Sequence, residues 1–233
     1  ECEWATRLGL PGIPAAAEVI MVERDLRLLE LSGSRLHFAH VSTAESIDAI
    51  RKAKARGLRV TCDTAPPYFT LNETAVGDYR TFAKLSPPLR GEADRLAVLN
   101  GIADGTIDAI ASDHSPHDQD SKRLPFAQAE SGAVGLETLL ALTLAPVHQN
   151  KLDLLTALAA LTCGPANILG LKLGQLKEGW PADLALVDID RPWRIEASKF
   201  KSKSKNSPFD TLPVQGRALR TMVNGKTIFE LDS

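Results

Sequence analysis

The order of helical and strand-like segments constrains the fold of this chain more than any other feature. Three segments with apolar residues at helical spacing each precede a short apolar run of strand length. The helices are predicted over 14–32, 44–56 and 92–103, and the strands over Leu36–Val41, Arg59–Thr64 and Ile107–Ser112. Between the second strand and the third helix, 65–91 is Pro-rich and irregular, with Thr81–Lys84 as a candidate short strand. This alternation predicts right-handed βαβ units, a parallel sheet and an α/β fold.

The remainder of the chain has a different pattern. Two helices and a short turn are predicted first, over 134–149, 151–163 and 165–170. After Gly174, short alternating runs replace the helical periodicity, and Asn224–Gly225 between the last two has the composition of a hairpin turn. These runs are Asp183–Val187, Arg217–Val223 and Thr227–Phe229. We therefore divide the chain into an α/β part, 1–173, and a small β-rich part, 174–233.

Composition and charge exclude several classes of protein. The 233 residues carry 27 Lys and Arg against 29 Asp and Glu, a formal net charge of −2, and 44% are hydrophobic. This balance predicts a soluble globular protein and gives no reason to expect binding to nucleic acid or to an anionic membrane. No apolar run approaches the roughly 18 residues of a membrane span. We interpret the basic stretch Lys199–Lys205 as a solvated surface loop rather than a phosphate site.

The three cysteines have no paired spacing. Cys2, Cys62 and Cys163 form no Cys-x-x-Cys motif, so neither a disulfide framework nor a cysteine zinc site is expected. Reduced thiols favour a cytoplasmic protein. The first residue is Glu rather than Met, and we expect the numbering to begin inside a longer gene product.

Four of the five histidines fall at the ends of predicted strands. They are His37 and His40 at the first strand and His114 and His117 after the third. Functional groups collect at the carboxyl ends of parallel strands, and imidazole together with a carboxylate such as Asp113 suits Zn²⁺. The residues alone leave two readings open, a metal site or a structural role in which Asp113 caps a turn and His40 is a core residue. One histidine and one aspartate are too few ligands for a complete zinc site.

Several motifs in a fixed order resemble a known family. They are His40–Thr43, Lys84–Arg90, Asp104–His117 and Val134–Thr138, with Thr6–Pro14 and Lys203–Phe209 nearer the two ends. Over almost the entire chain they are similar to the dihydroorotases of bacterial class I, in the amidohydrolase superfamily. Taken singly, the motifs would also suit hydantoinases or allantoinases.

The resemblance implies the C-terminal part of a (β/α)₈ barrel with a small β-rich appendage, and one or two zinc ions at the barrel mouth. His40 matches a metal ligand of the sixth strand, and Asp113 matches the eighth-strand aspartate that binds metal and shuttles the proton. His37 and His114 match no ligand position, so we interpret them as supporting groups.

The resemblance also implies the substrate contacts and the reaction. His117 matches a histidine that binds the substrate carboxylate, and the backbone at Ser131 and Gly132 matches a loop that hydrogen-bonds the pyrimidine ring. The implied reaction is the reversible cyclisation of N-carbamoyl-L-aspartate to L-dihydroorotate in pyrimidine biosynthesis. Two departures affect it. Ser86 stands where many relatives have a substrate-contacting Asn, and Pro66–Phe69 replaces their Pro-His-His-Leu.

The family's first-strand His-x-His motif does not occur in this sequence, and no histidine precedes His37. We therefore expect only about the last three βα units and the terminal helices of a barrel, with the remaining zinc ligands supplied by an N-terminal portion. The 233 residues alone are then expected to have negligible activity.

Two alternatives compete with an active dihydroorotase. One is a catalytically inactive, dihydroorotase-like subunit that supports aspartate carbamoyltransferase, and the other is a cyclic amidase of the hydantoinase or allantoinase type. The active enzyme would act on a small-molecule substrate, and a homodimer is a further option. Neither nucleic acid nor a membrane is an expected partner.

Overall fold

In the computed structural model, which describes residues 3–231, three strands form a parallel sheet with the second strand at its centre. They are β1 (Leu36–Phe38), β2 (Val60–Thr64) and β3 (Ala109–Ile110). The predicted alternation of helices with parallel strands is confirmed. The strands are shorter than predicted because the backbone leaves the extended conformation soon after β1 and β3, where His40 and Asp113 have positive φ.

Helices precede and connect the strands. They are α1 (Glu3–Leu8), α2 (Ala15–Ser32), α3 (Ala44–Ala55), α4 (Pro66–Thr70), α5 (Glu92–Ala103), α6 (Gln119–Arg123), α7 (Leu139–His148), α8 (Leu154–Leu161) and α9 (Cys163–Leu169). α2 ends at Gly33, whose φ of 60° suits a residue without a Cβ. α3 begins after Thr43, whose side chain accepts a hydrogen bond from the Ser46 N–H at 3.3 Å. The three helices predicted before β1, β2 and β3 are confirmed.

The candidate strand at Thr81–Lys84 is wrong. Thr81–Ala83 forms a 3₁₀ helix, and a second 3₁₀ helix covers Glu73–Val76. The Lys84 N–H donates locally to the Thr81 carbonyl at 3.0 Å, so it takes part in a turn rather than a ladder. The prolines that follow Ser86 have no N–H with which to continue a strand.

Two predicted boundaries in the following helical region are also wrong. The helix predicted from residue 134 starts only at Leu139, because Gly135 packs directly against the Ser112 carbonyl oxygen and belongs to a loop. The turn predicted at 165–170 lies mostly in α9. The backbone at Thr162 (φ −126°, ψ −85°) interrupts the helical run and separates α8 from α9.

The end of the chain forms a second, antiparallel sheet. Its strands are β4 (Leu184–Arg194), β5 (Pro213–Val223) and β6 (Lys226–Glu230), with β5 in the centre. β5 and β6 are joined at Asn224 and Gly225, both with positive φ, as a tight hairpin turn requires. The predicted hairpin is therefore confirmed, and β4 and β5 extend beyond the predicted runs.

Two apolar clusters position the site. The first lies between the parallel sheet and its helices, and its fully buried members include Ile47, Ile50 and Val98. Cys62 also lies there, and burial raises the pKa of its thiol to about 12. The second cluster packs the segment after β4 against α7 and the loop before it. Its members are Val134, Leu142, Ile195, Ala197, Phe200 and Phe209.

The basic stretch is only partly a solvated loop. Lys201 and Lys203 are exposed as predicted, but Lys205 Nζ folds back onto the carbonyl oxygens of Phe200 (2.6 Å) and Ser202 (2.8 Å). The segment therefore has a fixed shape. Within the described part of the chain, no helix combines the length and apolarity needed to cross a membrane. Cys2 lies outside the described residues.

Candidate active site

The carboxyl ends of β1, β2 and β3 meet at one edge of the parallel sheet. The Val41 N–H donates to the Asp63 carbonyl at 2.9 Å, and the Ala111 N–H donates to the Thr64 carbonyl at 2.8 Å. These bonds continue the ladder past the strands and bring the segment after β1 and the segment after β3 to opposite sides of β2. His40 lies in the first of these segments and Asp113 in the second.

The backbone at both candidate metal ligands adopts the left-handed conformation. The φ angle is 56° at His40 and 46° at Asp113. Positive φ is uncommon outside glycine and tends to occur where a structure holds a side chain in a required direction. At each of these two positions, the left-handed backbone turns the side chain away from the direction that a continuing strand would give it.

Asp63, on β2, connects the two histidines of the first strand and its extension. Its Oδ2 lies 2.9 Å from His37 Nε2, and its Oδ1 accepts the His40 backbone N–H at 2.7 Å. Oδ1 also lies 2.9 Å from His40 Nδ1, although the ring N–H is not aligned for a hydrogen bond. The other nitrogen of His37, Nδ1, is 2.8 Å from Thr61 Oγ1. The sequence analysis missed Asp63, and its only local signal is an acid inside an apolar strand.

His40 and Asp63 shift each other's pKa in the direction that favours the charged form of both side chains. Contact with Asp63 raises the pKa of His40, against the opposing effect of burial and with a further contribution from Asp113. Burial acts to raise the pKa of Asp63, but the contacts with His40 and His37 outweigh it, so that pKa lies below its usual range. Asp63 is therefore ionised at neutral pH.

The geometry at His40 and Asp113 fits one side of a metal site. His40 Nε2 lies 3.6 Å from Asp113 Oδ1, and two ligands each ~2.1 Å from a tetrahedral ion are roughly 3.4 Å apart. The Asp63 carboxylate lies on the Nδ1 side of the ring, 2.9 Å away without an aligned hydrogen bond, and Nε2 faces Asp113. A carboxylate on this side of the ring is the usual neighbour of a metal-binding histidine. Within residues 3–231, no group of three or more His, Cys, Asp or Glu residues is placed to hold an ion. The described residues thus supply two donors, fewer than a complete site requires.

Tyr68 is a second residue near the site that the sequence analysis did not select. It belongs to the altered Pro66–Phe69 stretch, which is entirely buried and forms most of α4. Its hydroxyl donates to the Pro87 carbonyl at 3.0 Å, and its pKa is raised mainly by burial and also by the nearby Asp113 carboxylate. Ser86, one residue before Pro87, is exposed. The two sequence departures are therefore connected through the contact of Tyr68 with Pro87.

His117 and the loop at Ser131 and Gly132 are in direct contact. His117 Nε2 lies 2.9 Å from the Ser131 carbonyl oxygen. Gly132 has φ of 129°, and a Cβ there would lie 2.6 Å from Ser115 Cβ and 3.0 Å from His117 Nε2. Its N–H donates to the Lys84 carbonyl at 2.8 Å. Only glycine fits this position, and its amide already has an internal partner.

The same loop reaches the carboxyl end of β3. The Gly135 N–H donates to His114 Nδ1 at 3.2 Å, which gives His114 a supporting contact. The Ser115 N–H donates to the Ala133 carbonyl at 2.8 Å. A small cavity of about 10 Å³ is lined by Asp113 and by Ala133–Gly135, among others. The loop therefore lies close to Asp113.

Comparison with known proteins identifies the family. Residues 12–228 match the amidohydrolase family. The chain belongs to the amidohydrolase family. It is 51% identical over 230 residues to a dihydroorotase of Desulforapulum autotrophicum, covering 99% of this chain and 54% of that protein. It is 50% identical over 226 residues to a dihydroorotase of Citrifermentans bemidjiense, covering 97% and 53%.

Solved amidohydrolase structures share the fold. The L-hydantoinase (dihydropyrimidinase) of Arthrobacter aurescens superposes with a TM-score of 0.88 at 31% identity, and the D-hydantoinase of a Thermus species with 0.87 at 26%. Each match covers 93% of this chain and 49% of the solved chain. The chain thus spans about half the length of the relatives that it matches.

Proposed function

We propose that this chain is the C-terminal part of a zinc-dependent dihydroorotase that interconverts N-carbamoyl-L-aspartate and L-dihydroorotate in pyrimidine biosynthesis. The observation that carries the proposal is the 51% identity to a dihydroorotase over 99% of the chain. In this proposal, 1–173 is the last part of a (β/α)₈ barrel and 174–233 is part of a small β-rich domain. The paired positions of His40 and Asp113, after the ends of β1 and β3 on either side of β2, support it.

The proposed chemistry assigns a role to each candidate residue. In the hydrolytic direction, water oxygen bonds to the ring amide carbon, the carbon–nitrogen bond breaks, and the proton released by water passes through Asp113 to the leaving nitrogen. His40 and Asp113 would hold one or two zinc ions together with ligands from an N-terminal portion. Bound zinc would polarise the carbonyl and lower the pKa of water.

The substrate side of the site is assigned to His117, Ser86, Ser131 and Gly132. His117 Nε2 donates to the Ser131 carbonyl, so we assign the Nδ1 side of the ring to the substrate carboxylate, a contact that requires a proton on both ring nitrogens. The Gly132 N–H donates to Lys84, which favours a ring contact through other atoms of this loop. Ser86 is exposed and offers a short hydroxyl in place of a side-chain amide.

The experiment measures both directions of the reaction on the full-length protein that contains this chain, with zinc content determined on the same sample. We expect reversible turnover of L-dihydroorotate and a loss of at least 100-fold in kcat for Asp113→Asn, since general acid–base catalysis contributes about 10²–10⁴-fold. Asp48→Asn, on the exposed face of α3, is the matched control. Full activity of Asp113→Asn would contradict the assigned role.

A second candidate function is hydrolysis of hydantoins. It is favoured by the similarity to the L-hydantoinase of Arthrobacter aurescens, at 31% identity and a TM-score of 0.88. Parallel assays with dihydroorotate, hydantoin and allantoin separate these cyclic amidases. Absence of turnover on all three, with stable co-purification of aspartate carbamoyltransferase, would instead support an inactive subunit.

We further propose a cytoplasmic location and leave a homodimer as the assembly to test. Cys62 is buried, and Cys62 and Cys163 are not joined in a disulfide, which is the state expected in a reducing compartment. The molar mass of the full-length protein in solution distinguishes a monomer from a homodimer.

A further inference from the structure

Lys122 is a cation almost completely removed from solvent. The residue is 1% exposed, in α6, and burial of an ammonium is costly unless acceptors replace its water. Its Nζ donates to the carbonyl oxygens of Glu130 at 2.7 Å and Gly132 at 3.1 Å. Both acceptors lie in the loop after α6, so the lysine holds that loop by its backbone.

Asn206 reaches the same loop from the opposite end of the chain. It is 3% exposed and lies in the Lys203–Phe209 motif, to which the proposed chemistry assigns no role. Its Nδ2 donates to the carbonyls of Ser115 (2.9 Å) and Gly132 (3.1 Å), and its Oδ1 accepts the His117 N–H at 3.3 Å. One buried amide therefore joins the His117 segment to the Gly132 loop.

These contacts converge on the two peptide groups that meet at Gly132. The Gly132 carbonyl accepts from both buried side chains, while the Gly132 N–H donates to the Lys84 carbonyl at 2.8 Å. The preceding carbonyl, that of Ser131, faces His117 Nε2 at 2.9 Å. A carbonyl oxygen only accepts, so Nε2 carries the proton of this contact. Lys122 and Asn206 hold the peptide after Gly132 Cα, and Lys84 holds the peptide before it. The backbone of Gly132 thus positions the Ser131 carbonyl and, through it, the imidazole of His117.

We propose that Asn206 and Lys122, which we call the clamp, are positioning residues that set the substrate affinity of the site by holding the backbone of Gly132 and the His117 ring. The inference rests on the proposed function, because it takes His117 as a substrate contact. Neither side chain hydrogen-bonds to Asp113; their acceptors are backbone carbonyls of Ser115, Glu130 and Gly132. Their loss should therefore affect binding of the substrate more than the ring-opening step.

The test compares Asn206→Leu and Lys122→Met in the full-length protein, with kcat calculated per bound zinc. We expect KM for L-dihydroorotate to rise at least tenfold while kcat stays within threefold of wild type. Asn100→Leu and Lys226→Met, at exposed positions of α5 and β6, are the matched controls and should leave both constants unchanged. Because both buried side chains donate to one carbonyl oxygen, the double variant should raise KM by less than the product of the single effects.

Hydrogen exchange at Gly132 provides a readout that does not depend on activity. Its amide, bonded to Lys84, should exchange at least tenfold faster in either clamp variant, with peptides from α3 and β2 unchanged as evidence of an intact fold. Faster exchange at Gly132 with KM unchanged would overturn the proposal, because the contacts would then be structural only. Unchanged exchange in both folded variants would overturn it as well.

Failure of the proposed function is distinguishable from failure of the clamp. The wild-type rates on dihydroorotate and hydantoin report on the function, whereas the ratio of variant to wild-type KM, on whichever substrate is turned over, reports on the clamp. A wild-type protein active on hydantoin with a tenfold KM effect would retain the clamp and reject dihydroorotase. A wild-type protein inactive on both substrates would contradict both.

Discussion

At the scale of single residues, the arrangement of His37 and His40 depends on one carboxylate, that of Asp63. Asp63 contacts His37 through one oxygen, and the His40 backbone and ring through the other. Its position orients Nε2 of His40 toward Asp113, 3.6 Å away. A histidine without such a partner has two tautomers and a freer ring, so its affinity for a metal falls.

Asp63→Asn should therefore weaken metal binding by about 10–100-fold, the usual effect of removing a carboxylate behind a metal-binding histidine. The measurement is zinc competition with a chelator of known affinity, using the full-length protein. Asp48→Asn, on the surface of α3, is the control. Equal zinc affinity in Asp63→Asn and wild type would show that Asp63 does not orient a ligand.

The buried ammonium group of Lys122 should make the free energy of unfolding depend on pH. Burial and the nearby Lys84 lower its pKa from 10.5 to about 8, and the Glu130 carboxylate opposes this change. Between pH 8 and pH 10.5 the folded state has lost this proton while the unfolded chain retains it, so the free energy of unfolding should rise with pH. One group contributes at most about 1.4 kcal/mol per pH unit. Below pH 8 both states are protonated and the full cost of burying the charge remains.

Denaturant unfolding of wild type and Lys122→Met at a series of pH values isolates this contribution, since the other titrating groups are shared. The difference in unfolding free energy, wild type minus variant, should increase across the window from pH 8 to pH 10.5. Lys226→Met, an exposed control, should leave the wild-type pH dependence intact. Parallel curves for wild type and Lys122→Met would contradict the prediction.

At the scale of elements, the sequence predicted what depends on local periodicity. The helix–strand alternation and the hairpin at Asn224–Gly225 were readable because burial on one side imposes a repeat on neighbouring residues. The contacts of Asn206 were not readable, since its partners His117 and Ser115 lie 89 and 91 residues away. The strand predicted at Thr81–Lys84 failed because local turn hydrogen bonds prevailed over composition.

The residues of the candidate site were likewise predictable only where a local pattern of the sequence marks them. Strand-end logic selected His40 and Asp113, and the structure brings them together, but their roles remain predictions. Asp63 was missed because its function depends on lateral pairing of β1 with β2, which no local pattern of the sequence displays. Tyr68 was noticed only as part of an altered stretch, and the packing of α4 places it beside Asp113.

The loop between β3 and α7 has room only for glycine at position 135. A Cβ at Gly135 would overlap the Ser112 carbonyl oxygen. The nearest atoms all belong to the Ser112 backbone, so no flexible side chain can move aside. Gly135→Ala should therefore destabilise the protein by about 1–3 kcal/mol, the usual cost of overpacking. Thermal unfolding measures it, with Gly91→Ala as the control because its Cβ would make only an ordinary contact at 3.6 Å. Equal unfolding temperatures for the two variants would show that the loop can move away from Ser112.

At the scale of the whole molecule, the parallel sheet ends at β1 and β3, and one side of α2 exposes apolar side chains. Within residues 3–231, β1 and β3 each pair with β2 and with no further strand. On α2, Ile20, Leu28 and Leu31 share one face and are 64%, 54% and 85% exposed. Parallel sheets are normally covered on both faces and closed or protected at their edges. In the barrel that we propose, further strands and helices would cover these surfaces.

The isolated 233-residue chain should therefore self-associate and show negligible turnover, because these apolar side chains are exposed and its described residues supply only two donors to the proposed zinc site. Light scattering measures the association, and turnover of L-dihydroorotate measures the activity. Addition of a separately produced N-terminal portion of the full-length protein should restore both the monodisperse state and zinc-dependent turnover. Replacing Ile20 and Leu28 by Ser should reduce self-association without restoring activity, since solubility alone supplies no ligand. A monodisperse isolated chain with full activity would show that 233 residues form a complete enzyme.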